Sequence, residues 1–166
     1  MAIIDGLLQE LEHEAHTTRR VLERVPNESL AWRPHAKARS LGELAMHVAQ
    51  VPGGVARLAA SPSPSPVPQF KDPELKTASE LVPALNQSLA LARETLGGMD
   101  DETVMSTWRM VDGDRELLAL PRVAFLRAIM LNHWYHHRGQ LTTYLRQLGV
   151  ALPSIYGPSA DENPFA

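Results

Sequence analysis

Apolar positions recur at helical spacing in four long stretches of the chain. In the first, Ile4, Leu7, Leu8, Leu11, Ala15, Val21 and Leu22 share one face, predicting a helix from about Ala2 to Val25. It ends at Val25-Pro26-Asn27-Glu28-Ser29, because proline cannot continue the hydrogen-bond ladder. A capping box, Ser40 with Glu43 three residues on, opens the second helix, which carries Leu44, Ala45, Val48 and Val51. Pro52-Gly53-Gly54 is expected to kink this helix rather than end it, since Val55 to Ala60 resumes a helical pattern. The third helix starts near a second box, Thr77 with Glu80, and stops at Gly97-Gly98. The fourth takes Pro121 as its first residue, runs to Leu148 and is closed by Gly149.

Two shorter runs, Thr107 to Val111 and Arg115 to Ala119, flank Asp112-Gly113. They read as a tight hairpin, although the second run is equally able to open a helix. Ser61-Pro62-Ser63-Pro64-Ser65-Pro66-Val67-Pro68 is expected to be an extended, polyproline-like spacer within a linker over 61–76. At about 3.1 Å per residue such a linker covers about 50 Å, against about 30 Å for a twenty-residue helix. It is long enough to return along a bundle and start the third helix parallel to the second. The expectation is therefore one all-α domain over 1–166, a four-helix bundle with a long crossover between helices two and three. The tail over 150–166 contains Leu152, Ile155 and Tyr156 and is expected to dock across the bundle.

Composition narrows the function classes. The 166 residues are 44% apolar and 21% charged, as in an ordinary globular protein. A net charge of −3 with no Lys/Arg-rich block gives no reason to expect nucleic acid. The sequence shows no basic-then-apolar leader at Met1 and no apolar run of membrane-spanning length, so no membrane partner and a cytoplasmic setting are expected. Zero cysteines exclude disulfides, thiolate metal sites and cysteine nucleophiles. Neither a Gly-x-Ser-x-Gly elbow nor a phosphate-binding glycine loop occurs.

The chemistry concentrates in His133-Trp134-Tyr135-His136-His137-Arg138-Gly139-Gln140. His133 and His137 lie one helical turn apart on one face, so both imidazoles can reach one cation. His47, in the second helix, is a third candidate. Three neutral imidazoles from two helices would hold a divalent metal and leave a coordination position open, as catalytic sites require. The alternative is histidines merely packed or hydrogen-bonded on a bundle face. Against it, the pair lies among Leu126, Ile129, Met130, Leu141 and Tyr144, where an unpartnered polar ring is costly to bury. Gln140, three residues after His137, is placed to support that ring. Imidazole-only ligation suits zinc, nickel, copper or iron. Trp134 stands where zinc proteases of the His-Glu-x-x-His type need a glutamate, which rules that mechanism out.

Other residues draw plainer expectations. Glu43 is the nearest carboxylate to His47 by spacing, but its capping role already accounts for it. His136 is expected at the periphery, and His13 and His16 at the surface. Arg138 is expected to cap or pair on the outer face, and Gly139 to permit close helix packing or access. Trp32 and Trp134 read as core, and Tyr144 as a possible pocket group.

Taken together, Trp32-Arg33-Pro34-His35, Ser40-Leu41-Gly42-Glu43-Leu44, His47-Val48-Ala49 and Asn132-His133 with His137-Arg138-Gly139-Gln140-Leu141 resemble the DinB/YfiT-like superfamily in order and spacing. The resemblance implies a four-helix bundle of up-down-down-up topology and a site for a divalent metal, often nickel or zinc, held by His47, His133 and His137. Some members are thiol-dependent S-transferases or isomerases using bacillithiol, mycothiol or glutathione, which implies a low-molecular-weight thiol and a small-molecule substrate. Others are damage-inducible proteins, so a non-catalytic metal- or ligand-binding role acting through a partner is the alternative. A homodimer is the expected assembly.

Overall fold

A computed structural model describes residues 2–69 and 74–166. Helix α1 spans Ile3–Leu22, three residues short of the predicted end, and buries Ile4, Leu7, Leu11, Ala15, Val21 and Leu22. Helix α2 spans Leu41–Ala60 behind the predicted box: Ser40 Oγ accepts from the Glu43 N–H (3.2 Å) and Glu43 Oε2 from the Ser40 N–H (2.7 Å). A single 3₁₀ turn, Ala78–Glu80, leads into α3, Leu81–Leu96. The short α4, Asp101–Met105, is capped by the Asp100 carboxylate and was not expected from the pattern.

Helix α2 runs through Pro52 without ending. Proline at this position removes the hydrogen bond that the Val48 carbonyl would accept and presses its ring against that carbonyl. The local polar groups are satisfied from outside the helix. Trp134 Nε1–H donates to Val48 O (2.8 Å), Gly53 N–H donates to Ser88 Oγ (2.8 Å), and Ser88 Oγ–H donates to Gln50 O (3.1 Å). Gly53 is required there. A Cβ at this position would stand 2.7 Å from the Ser88 carbonyl oxygen and 3.0 Å from its Cα, so α2 and α3 approach backbone to backbone.

The all-α expectation is corrected by a small three-stranded sheet in the order β1-β2-β3. Strands β2 (Thr107–Asp112) and β3 (Arg115–Pro121) form the hairpin, with Asp112 opposite Arg115 and Gly113 at φ +58° in the turn. Positive φ at the first of two turn residues matches the right-handed strand twist, and glycine takes it without a Cβ penalty. Strand β1 is Ser65–Pro66, paired parallel with Met110 and Val111. The serine–proline stretch is therefore docked rather than a free spacer. Val67 N–H donates to Val111 O (3.0 Å), and Ser63 Oγ accepts from Arg109 N–H (3.0 Å). Proline lacks a donor but keeps its carbonyl and an extended φ, which an edge strand tolerates. The part of the predicted linker at 70–73 lies outside the described residues.

The fourth helical stretch begins one residue later than expected, with Pro121 as its N-cap. Helix α5 (Arg122–Phe125) passes into a wider π segment (Leu126–Asn132) and then α6 (His133–Gln147), with Gly149 at φ +73° beyond its end. Helix α2 packs on α3, α6 and the π segment, while α1 packs on α3, α4 and α6. Several contacts fix relative heights: Ala78 N–H to Asn27 Oδ1 (3.0 Å), Arg122 Nε to Ala59 O (2.9 Å), and Trp134 to Val48. Trp108, fully buried, stacks on Phe125 at 4.6 Å and so anchors the sheet to the helices. No helix among the described residues is long and apolar enough to cross a membrane.

Candidate metal centre

His47 lies in the first half of α2, while His133 opens α6 and His137 follows one turn later. All three rings are half-buried. His47 Nε2 and His133 Nε2 stand 3.1 Å apart, and one ligating nitrogen from each of the three rings lies within 4.8 Å of the others. Zinc–imidazole bonds of about 2.0–2.1 Å in tetrahedral geometry put nitrogens about 3.3 Å apart, so modest ring rotations close this triangle on one ion. The rings meet edge to face, at interplanar angles of 71°, 90° and 78°.

The α6 pair follows directly on the π segment. His133 donates its backbone N–H to Ala128 O, an i to i−5 bond. His137 Nδ1–H donates to Gln140 Oε1 at 2.7 Å, since an amide oxygen can only accept. That bond fixes the tautomer and leaves the Nε2 lone pair free to face a metal. Burial lowers the pKa of His137 to about 4; Gln140 opposes the shift, and the charges of His133, His136 and Arg39 add to it. His133 is likewise lowered, first by burial and then by His136 and Arg39. At neutral pH both rings are neutral, the form that binds metals. The donor set thus fits a divalent ion of intermediate softness.

The other singled-out residues sort by contact. Glu43 engages Ser40 and a bidentate pair with Arg33 (2.8 and 2.9 Å), which pulls its pKa below the usual carboxylate range. Tyr144 meets Trp32 edge to face at 5.5 Å, and Trp32 is half-buried rather than core. His136 is exposed, with its ring 5.0 Å from His137, and His13 and His16 are exposed. Gly139 is also exposed, and a Cβ there would meet nothing within 4 Å, so it does not serve close packing.

Arg138 corrects the outer-face expectation most sharply. It is 2% exposed and pairs with Glu14 Oε2 at 2.6 Å. It also donates to Thr18 Oγ1 (3.1 Å), Glu14 O (3.3 Å) and Tyr156 Oη (2.6 Å). Tyr156, which anchors the docked tail, in turn donates to Glu14 Oε2 (3.0 Å). The signal was available: Leu131, Trp134, Arg138, Leu141 and Leu145 form one buried stripe at spacings of three and four. Arg39, by contrast, carried no sequence signal. It precedes the capping Ser40, yet its charge reaches two of the three histidines.

The DinB family model matches residues 3–164, nearly the whole chain. This chain belongs to the DinB family. Among related proteins, YrdA of Bacillus subtilis is 26% identical over 160 residues, covering 96% of this chain and 91% of its own. A DinB-like protein of Bacillus cereus superposes with a TM-score of 0.70 at 25% identity, covering 93% of this chain and 98% of that one. A DinB-family structure from Exiguobacterium sibiricum gives 0.64 at 23% identity, with 91% and 95% covered, and shares the fold. The histidine cluster of this DinB protein is compatible with metal binding.

Proposed function

We propose that this DinB-family protein is a metal-dependent enzyme that works on a low-molecular-weight thiol, as an S-transferase or isomerase. The observation that carries the reading is the convergence of His47, His133 and His137 from two helices, with ligating atoms within 4.8 Å and Gln140 fixing the tautomer of His137. Zinc and nickel both suit three imidazoles. Such an ion lowers the pKa of a coordinated thiol or water and so supplies a nucleophile at neutral pH. Three neutral ligands leave the full positive charge of the ion uncompensated, and Arg39 adds to it. An anionic ligand such as a thiolate is therefore favoured at the open position. The same reading takes the four long helices as an up-down-down-up bundle. It is supported by the start of α3 meeting the end of α1 (Ala78 to Asn27) and the start of α5 meeting the end of α2 (Arg122 to Ala59).

The test is metal content of untagged protein beside a His47→Ala/His137→Ala variant, followed by cobalt substitution and addition of a thiol. The expected result is a single divalent ion per native chain, none in the variant, and a thiolate-to-cobalt absorption band on thiol addition. Failure to bind metal even after reconstitution overturns the centre. Metal without a thiolate band leaves a metal-binding protein and removes the thiol chemistry.

A further inference from the structure

Two irregularities face each other beside the histidines. On α2, Pro52 orphans the carbonyl of Val48, the residue next to His47. On α6, Trp134, the residue next to His133, donates its indole N–H to that same carbonyl at 2.8 Å. Both partners are fully buried, and they are 86 residues apart in sequence, as are His47 and His133. We infer that Trp134 is a positioning residue, and that its hydrogen bond to the carbonyl freed by Pro52 ties α2 to α6 at the spacing the metal ligands need.

The helix ladder and the indole compete for one acceptor. In an uninterrupted helix the Val48 carbonyl would accept first from the N–H four residues on, leaving only its second lone pair for a neighbouring helix. Proline at 52 removes that donor, and the exposed lone pair becomes a bridgehead pointing out of α2. A buried indole N–H without a partner is costly, so the two helices settle where this bond is made. His47 and His133 each sit one residue from the bridge, and their Nε2 atoms are held 3.1 Å apart. The contact acts on metal affinity by preorganisation, in the way that supporting groups around ligands do.

This inference rests on the metal reading above, and the test separates the two. The native protein, Trp134→Phe and Trp134→Phe/Pro52→Ala are compared for zinc affinity by chelator competition and for stability of the metal-free form by urea unfolding. Trp134→Phe is expected to weaken zinc binding by about 10–100-fold and to lower stability, because the Val48 carbonyl is left buried and unpaired. Adding Pro52→Ala restores an N–H for that carbonyl within α2. Stability then recovers in part while zinc affinity stays low, because the tether between the helices is still missing. Recovery of affinity together with stability would reduce Trp134 to a packing residue and overturn the inference. Should Trp134→Phe fail to fold, benzothienylalanine at position 134 keeps the bicyclic shape without the N–H; unchanged zinc affinity there overturns it equally. A native protein that binds neither zinc nor nickel overturns both readings, whereas tight native binding with no loss in the variants overturns only this one.

Discussion

Replacing Arg138 by methionine removes a cation from the most deeply buried ionic group among the described residues. Its guanidinium is matched to the Glu14 carboxylate at 2.6 Å, with side-chain exposures of 2% and 8%. After Arg138→Met, Glu14 retains the Tyr156 hydroxyl at 3.0 Å, while Thr18 loses its partner on Arg138. A buried carboxylate stripped of its counter-charge costs about 3–5 kcal/mol, a large share of a typical total of about 5–15 kcal/mol. For a chain of this size that corresponds to a fall in Tm of roughly 6–20 °C. The double variant Glu14→Met/Arg138→Met removes both charges and fills similar volume, so it is expected to lose much less than either single change. Urea unfolding of the metal-free protein, followed by circular dichroism, measures all four corners of this cycle. A loss under about 1 kcal/mol for Arg138→Met, or a double variant as damaged as the two singles combined, would refute the account of a charge pair held out of water.

Two further outcomes are expected. His137 has its pKa lowered to about 4 in the folded chain, chiefly by burial, against about 6.5 when unfolded. The unfolded chain therefore binds the proton first, and metal-free stability falls as pH drops from about 6.5 toward 4, by on the order of 1–2 kcal/mol for a half-buried ring. Unfolding midpoints across that window should flatten in His137→Gln, and an unchanged slope would count against the burial assigned to this ring. Gly53→Ala would push a Cβ to 2.7 Å from Ser88 O, and α2 and α3 can only separate to admit it. A loss of about 1–3 kcal/mol in thermal or urea unfolding is expected, and a neutral result would mean the helices are less closely apposed.

What the sequence alone determined were the features written in short spacings. The helix starts at Ser40 and Thr77, the hairpin around Asp112-Gly113, the His133/His137 pair and the support of His137 by Gln140 all follow from groups two to four residues apart. At such spacings the backbone itself brings the partners together, whatever the rest of the chain does. The apolar stripe through Leu131, Trp134, Leu141 and Leu145 also encodes the burial of Arg138, which shares its face.

The tertiary structure decided what depends on distant partners. Glu14 on α1 makes Arg138 a core residue, Arg33 and Ser40 occupy Glu43, and the tail brings Tyr156 to Glu14 and Arg138. The free edge of β2 turns two residues of a proline-rich stretch into β1. The π winding before His133 has no signature in residue type, and Met130, Leu131 and Trp134 are buried where it passes into α6. His47 joins His133 across 86 residues only because the packing of α2 on α6 fixes their height and rotation. Local chemistry names the donors; which of them meet is settled by the shape of the buried surfaces that hold the helices together.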